Sequence, residues 1–245
     1  MTPRLQTRRV LITGAGSGIG RGIARAFADL GHDVTIAGRG FAALEETDGG
    51  RGMTLRTADV TDEGSVASLF ETPYQVVIAN AGGGSAGRLG DTTLEAWNET
   101  LAVNLTGTFL TFRAGLAGMT EGGRLIAMAS TASLKGGAAI AAYAAAKHGV
   151  LGLVRSVALE VAKRGITCNA VCPGYVDTPL ADRAIAGLQT RLGIGADEAR
   201  ARVVAGNPPG RLITVEEVTA AVLFLASDGA SMVNGHALSV SGGEV

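Results

Sequence analysis

Near its start the chain reads Arg9-Val10-Leu11-Ile12-Thr13-Gly14-Ala15-Gly16-Ser17-Gly18-Ile19-Gly20, a short apolar run that turns over glycines into a helical pattern, Gly18–Leu30. A strand that passes through such a turn straight into a helix aims backbone N–H groups and the positive end of a helix dipole at one spot. That arrangement suits a pyrophosphate. The pattern is T-G-x-x-x-G-x-G, because Ile19 stands where G-x-G-x-x-G needs its third glycine. Gly31 then supplies a C-terminal stop for the helix.

Outward from this unit the same alternation continues almost to the end of the chain. Strand candidates are Arg9–Thr13, Asp33–Ala37, Met53–Thr57, Val76–Ala79, Arg124–Ala129, Ile166–Val171 and Ala237–Val240. Helix candidates lie at Gly18–Leu30, Phe41–Thr47, Glu63–Phe70, Thr93–Leu116, Tyr143–Arg164 and Val215–Ala226, the last opened by a capping box, Thr214-Val215-Glu216-Glu217. Short, nearly uninterrupted apolar strands between helices imply a parallel sheet covered on both faces. Right-handed crossovers make it an α/β, doubly wound, seven-stranded arrangement. The segment between Asp59 and Asn80 is short, so the third helix is expected to be cut down. No repeat or linker divides residues 1–245, which read as one domain. Only Leu180–Arg211 breaks the alternation: a substrate lid over about residues 180–211, or a purely structural excursion, with the lid favoured.

Bulk composition narrows the function. At 245 residues and 47% hydrophobic content, a large core is available. A net charge of −1 argues against nucleic-acid and anionic-membrane partners. Thr2 to Arg9 is basic, but only Val10 to Thr13 follows as an apolar run, a strand and not a signal peptide or membrane span. Cys168 and Cys172 are not spaced as a metal or redox pair and read as reduced thiols in a buried strand. His32, His148 and His236 carry no ligand spacing, and no metal site is expected. A cytoplasmic location follows.

The chemistry is carried by Tyr143 and Lys147. Spacing of i and i+4 stacks phenol and ammonium on one helix face. A tyrosine ionises near pH ~10 and a nearby cation lowers that value. A shift of ~2 units takes roughly 2.7 kcal/mol, within reach of a partly buried lysine. The small apolar neighbours Ala144–Ala146 and Gly149–Leu151 favour burial of Lys147 over a solvated surface position. With a nucleotide turn in the same chain, the pair reads as proton transfer coupled to hydride transfer, hence an enzyme. Ser130 lies just past a strand and offers a hydroxyl to a substrate oxygen; by position alone Thr131 and Ser133 compete with it.

Thr13–Gly20, Asp59-Val60, Asn80-Ala81-Gly82, Asn104 within Val103-Asn104-Leu105-Thr106-Gly107, Ser130, Tyr143-x-x-x-Lys147 and Pro173-Gly174 occur together and in order. On these motifs the chain resembles the short-chain dehydrogenase/reductase family over essentially its whole length. The resemblance implies a Rossmann-like fold and a catalytic tetrad of Asn104, Ser130, Tyr143 and Lys147. Tyr143 would be acid in reduction and base in oxidation, and Lys147 would lower its pKa and hold the nicotinamide ribose. Ser130 would bind the substrate oxygen, and Asn104 would hold a water leading to Lys147. Family spacing selects Ser130 over its neighbours. Cofactor contacts would come from Gly14, Gly16, Ser17, Gly18, Ile19, Gly20, Arg39, Asp59, Val60, Asn80, Ala81, Gly82, Tyr143, Lys147, Pro173, Gly174, Val176 and Thr178. Ala79 departs from the pattern, standing where many members have a second asparagine. A homotetramer is also implied, with the Thr93–Leu116 and Tyr143–Arg164 helices as a helical-bundle interface; the Ala- and Gly-rich face around Ala144–Gly152 fits close helix packing and would also suit burial within one subunit.

The end of the second strand bears on cofactor choice. A carboxylate there accepts hydrogen bonds from a free ribose 2′-hydroxyl. Gly38 offers none, and Arg39 supplies a guanidinium suited to a 2′-phosphate. Ser17, at the other position often basic in NADP-preferring members, is neutral. NADP(H) is therefore favoured, with NAD(H) possible. The expected reaction interconverts a secondary alcohol and a ketone. The stretches Ile166–Tyr175 and Ser130–Ala132 resemble 3-oxoacyl (acyl-carrier-protein) and polyketide ketoreductases and 3-hydroxyacyl-thioester dehydrogenases, implying a 3-oxoacyl thioester or related ketone. An NAD-dependent dehydrogenase of a cyclic, aromatic, sugar or steroid alcohol is the alternative, and a non-catalytic dinucleotide-binding regulator the alternative of another class. Substrate contacts are expected from Ser130, Leu134, Ile140, Tyr143, Tyr175 and Leu180. Arg183, Arg191, Arg200 and Arg202 could form a basic patch for an acyl carrier, or simply face solvent.

Overall fold

The computed structural model describes residues 7–84 and 86–245, so residues 2 to 6 of the basic run lie outside the described residues. Seven strands form one parallel sheet: β1 (Arg9–Thr13), β2 (Asp33–Gly38), β3 (Thr54–Thr57), β4 (Val76–Ala79), β5 (Arg124–Met128), β6 (Thr167–Pro173) and β7 (Ala237–Val240). Their order is β3-β2-β1-β4-β5-β6-β7. The chain winds outward from β1 to β3, then returns to start again at β4 on the other side of β1. The connections leaving β1 and β4 therefore diverge and open a crevice at their carboxyl ends.

Around the sheet lie α1 (Gly18–Asp29), α2 (Phe41–Asp48), α3 (Glu63–Ala67), α4 (Leu94–Leu101), α5 (Gly107–Gly118), α6 (Ala141–Val161), α7 (Pro179–Leu192), α8 (Ala196–Val204) and α9 (Val215–Ala226). The period-two geometry of a strand sends successive side chains to opposite faces. Val10 and Ile12 thus enter one core with Ile23 and Phe27 of α1 and Val218 and Val222 of α9. Leu11, between them, enters the other with Phe112 of α5 and Val150 and Val154 of α6. β4 divides the same way, Val76 and Ile78 to the first core and Val77 and Ala79 to the second. Each fully buried branched side chain contributes about 1.5–3 kcal/mol, so both faces hold the sheet.

One element differs from the sequence expectation in more than its end residues. Thr93–Leu116 is not one α-helix: Thr93 caps α4 through its hydroxyl, and a π turn at Ala102–Thr106 separates α4 from α5. The apolar periodicity of the segment does not register the one extra residue in that turn. The third helix is short and finishes as a 3-10 turn, Ser68–Phe70, in keeping with the short segment that holds it. The helix bearing Tyr143 begins earlier, at Ala141, and its end tightens into a 3-10 turn, Ala162–Arg164. Residues 180–211 contain α8 and most of α7, whose Ala181, Ile185, Ala199 and Val203 make a small core of their own with Leu212. No described helix is long and apolar enough to cross a membrane.

Candidate active site

The site is built at the carboxyl ends of the strands. After β1, Gly14 takes a φ of +66°, and a Cβ there would lie 2.6 Å from Ala81 Cα. Only glycine fits, on both counts. Asn80, just past β4, sits beneath the turn: its Nδ2 donates to the Thr13 and Gly14 carbonyls at 3.0 Å each. Asn80 and Ala81 donate their backbone N–H groups to Thr13 Oγ1 at 3.2 and 3.3 Å. The carbonyls of the turn are thus taken up internally. Ser17 is the extended N-cap of α1, and its side chain makes no capping hydrogen bond. A helix start with uncapped amides beside glycines too crowded to carry side chains fits a dinucleotide pyrophosphate. Ile19 packs against the α1–α9 core, which is why this position tolerates a side chain.

The remaining expected cofactor residues surround this turn. Arg39 follows β2, exposed, with no ion-pair partner among the described residues. Asp59 follows β3, and Thr61 donates to its Oδ1 from both N and Oγ1, at 2.9 and 2.8 Å. These bonds hold the carboxyl below its usual range, burial opposes them and nearby Arg39 adds a smaller pull. Val60 packs beside Gly107, where a Cβ would come within 2.8 Å of Val60 Cγ2. On the other side, Pro173 ends β6 and Val176 forms an isolated bridge to Ile213. Thr178 approaches the glycine turn closely: a Cβ on Gly18 would lie 3.2 Å from Thr178 Cγ2.

Tyr143 and Lys147 lie on the first turns of α6, against the end of β5. Lys147 is buried, its Nζ donates to the Met128 carbonyl at 2.8 Å and stands 5.6 Å from the centre of the Tyr143 ring. Ser130 caps a 3-10 turn, Thr131–Ser133: its Oγ accepts from Ala132 N at 3.1 Å, and Ser133 Oγ accepts from Ser130 N at 3.2 Å. That reciprocal box fixes the serine and leaves its hydroxyl proton free to donate elsewhere. Ser133 thus supports Ser130 through this box, and Ser130 lies close enough to the Tyr143 phenol to pull its pKa down.

One expectation, the direction of the Tyr143 shift, changes here. Burial pushes the Tyr143 phenol upward; the Ser130 hydrogen bond pulls it down, and Tyr175 adds to the rise. The phenol therefore stands above its ordinary value in this structure, and burial likewise lowers the pKa of Lys147 to about 8. Both charged forms are penalised by the same loss of water. Asn104, in the π turn, is fully buried and spends its amide on backbone: Nδ2 donates to Gly83 O at 2.6 Å and Thr100 O at 2.9 Å, and Oδ1 accepts from Gly83 N at 3.1 Å. It thus clamps the Gly82–Gly84 run against the tetrad. A Cβ on Gly82 would lie 2.8 Å from Asn104 Oδ1 and 3.3 Å from Lys147 Nζ, and one on Gly84 2.9 Å from the Tyr143 ring.

Of the expected substrate residues, Leu134, Tyr175 and Leu180 are exposed and apolar, and Ile140 precedes α6. Ile140 bridges to Gly87, and its neighbour Ala139 has a φ of +61°. Three residues at this end of the site went unread in the sequence. Asn207 is buried and ties the exit of β6 to the end of the 180–211 segment, donating to Tyr175 O and Arg211 O at 2.9 Å each. Glu244, in the chain's last turn, pairs with Lys135 at 2.9 Å. Asn207-Pro208-Pro209-Gly210 carried a loop signal, but nothing local marks an amide that bonds across 32 positions.

A family model described as Enoyl-(Acyl carrier protein) reductase matches residues 14–244. D-beta-hydroxybutyrate dehydrogenase of Rhizobium meliloti (strain 1021) is 36% identical over 255 residues, covering 97% of this chain and 98% of that protein. The 3-oxoacyl-(acyl-carrier-protein) reductase FabG of Escherichia coli (strain K12) is 36% identical over 244 residues, 95% of each chain. Among solved structures, a single-substitution variant of actinorhodin polyketide ketoreductase with NADPH superposes with a TM-score of 0.91 at 34% identity, covering 100% of this chain and 99% of that one. The chain belongs to the short-chain dehydrogenase/reductase family and is an oxidoreductase of hydroxyl and keto groups that uses a nicotinamide dinucleotide.

Proposed function

We propose that this enzyme reduces a ketone to a secondary alcohol with NADP(H), acting on a 3-oxoacyl thioester or a related ketone. The observation that carries the reading is the crowding of a protonated phenol, a free serine hydroxyl proton and a buried ammonium at one spot above β5. Gly14, Gly16, Ser17, Gly18 and the amides behind them would hold the pyrophosphate, Asp59 and Val60 the adenine, and Pro173, Gly174, Val176 and Thr178 the nicotinamide. Arg39, with no ion-pair partner among the described residues, would meet a 2′-phosphate. When bound, the dinucleotide supplies the hydride.

The chain's own residues handle the oxygen. Ser130 donates its free proton to the substrate carbonyl and fixes its direction. Tyr143, whose burial keeps it protonated at neutral pH, donates the second hydrogen bond and then gives up its proton as the oxygen becomes an alkoxide. Charge grows on both atoms only in the transition state, where preorganised donors count most. Lys147, anchored by Met128, is an ammonium at pH 7 and stabilises the phenolate left behind. Asn104 positions the Gly82–Gly84 run and Lys147's surroundings. Residues 180–211 act as the substrate lid of a single 1–245 domain, hinged where Asn207 ties it to β6. A cytoplasmic homotetramer completes the reading, supported by unpaired buried thiols and by exposed Leu94, Phe109, Leu159 and Met232.

The test is oxidation of NADPH and NADH at 340 nm with short 3-oxoacyl thioesters and with cyclic and aromatic ketones, and the reverse with the matching alcohols. Turnover of thioesters with NADPH is expected. Turnover only of small alcohols with NAD would replace this reading with a catabolic dehydrogenase.

A further inference from the structure

Past β7 the chain reverses over two glycines with positive φ, Gly242 at +62° and Gly243 at +98°, and returns Glu244 to the carboxyl edge of the sheet. The Glu244 side chain is 10% exposed. Its Oε1 pairs with Lys135 Nζ at 2.9 Å, while its Oε2 is buried with no hydrogen-bond partner. That lone oxygen fills the space a side chain would take on Gly174: a Cβ there would lie 2.8 Å from it and 2.7 Å from Asn207 Oδ1. Asn207 Oδ1 already accepts from Tyr175 N. A buried carboxylate oxygen left without a donor is costly, and such groups persist where charge itself has a use.

The position suggests the use. Gly174 precedes Tyr175 and Lys135 follows Leu134, two of the residues expected to line the substrate. The carboxylate therefore lies against the chain neighbours of both residues. It also engages Lys135, a half-exposed cation that would otherwise be free to draw in an anion. Resting on the alcohol–ketone reading above, we propose that Glu244 is a specificity-determining residue: it holds Lys135 and sets a negative charge behind the substrate face, so that the enzyme accepts neutral ketones and rejects those that carry a carboxylate. At least one relative, a D-beta-hydroxybutyrate dehydrogenase, is named for a substrate of the rejected kind.

The experiment measures kcat/KM for 3-oxobutanoate and for its neutral ethyl ester with saturating NADPH. The anionic-to-neutral ratio is compared across the wild type, Glu244→Gln and Lys135→Met. Glu244→Gln frees Lys135 and removes a charge, so the ratio should rise by about tenfold or more. Lys135→Met leaves the carboxylate alone, so the ratio should fall. Opposite movements from the two ends of one ion pair support the proposal. Movements in the same direction, the mark of a merely structural latch, overturn it, as does a ratio within twofold of wild type in both variants. Calorimetric binding of 3-hydroxybutanoate and its ethyl ester to the NADP-loaded protein gives the same ratio without turnover. If the wild type reduces neither ketone, the proposed function fails, and the binding ratios still decide the role of Glu244.

Discussion

The two ends of the crevice are made of different material. On the β1–β2 side the chain presents backbone: glycines that tolerate no side chain, an uncapped helix start, and Asn80 consuming the carbonyls that would repel an anion. On the β5–β6 side it presents side chains held in place by burial: Lys147 pinned to Met128, Ser130 locked in a capping box, Asn104 clamped on Gly83. A backbone site recognises what every dinucleotide shares. A side-chain site must carry the pKa values and the selectivity, and it bears the desolvation cost of doing so. One charged side chain, Arg39, projects at this first end, and the proposed choice of dinucleotide rests on it.

The sharpest way to break this division is Tyr143→Phe. It should lower kcat by about 10³-fold or more while leaving the affinity for NADPH within a few-fold, measured by fluorescence titration. Comparable losses in both would mean that the two ends are not separable. Lys147→Met probes the cost of the side-chain end. Below about pH 8 the lysine is protonated in folded and unfolded chains alike, and folding carries the full penalty of burying the cation. Between about 8 and 10.5 the unfolded chain binds the extra proton, so the wild type gains stability as pH rises through that window. The variant should therefore be more stable at pH 7 by up to about 3 kcal/mol, with the advantage shrinking toward pH 10.5, as read from urea midpoints. A pH-independent difference would place the lysine in water. The smallest expected effect is at the backbone end: Arg39→Ala should weaken NADPH by about tenfold and NADH hardly at all. Equal losses would remove Arg39 from cofactor selection.

The same division explains what could be read beforehand. Val76-Val77-Ile78-Ala79 is buried on both faces, so it appears as an unbroken apolar run, and the sheet follows from such runs. The glycine turn is legible because its requirement is local: the positive φ of Gly14 and the helix that follows belong to a few adjacent residues. The Tyr143–Lys147 pair is legible for the same reason, being one helical turn apart. Direction of pKa shift was not legible, since burial of both groups depends on β5, the Gly82–Gly84 run and Tyr175 arriving together. Asn207 and the Lys135–Glu244 pair were beyond reach because their partners are remote in sequence and their local contexts are ordinary loops. The π turn escaped because one surplus residue hardly disturbs a periodicity of 3.6.

That surplus residue has a consequence for the whole rod. Each residue of an α-helix advances the azimuth by about 100°, so one residue more offsets everything after it by that angle. Before the offset α4 leans on α6; beyond it α5 leans on β4 and α3. The turn at Ala102–Thr106 therefore works as a phase shifter between two screws, letting one continuous stretch of chain mesh with two differently oriented neighbours. Deleting a single residue there would turn everything after it back by that angle and leave one of the two gears out of mesh.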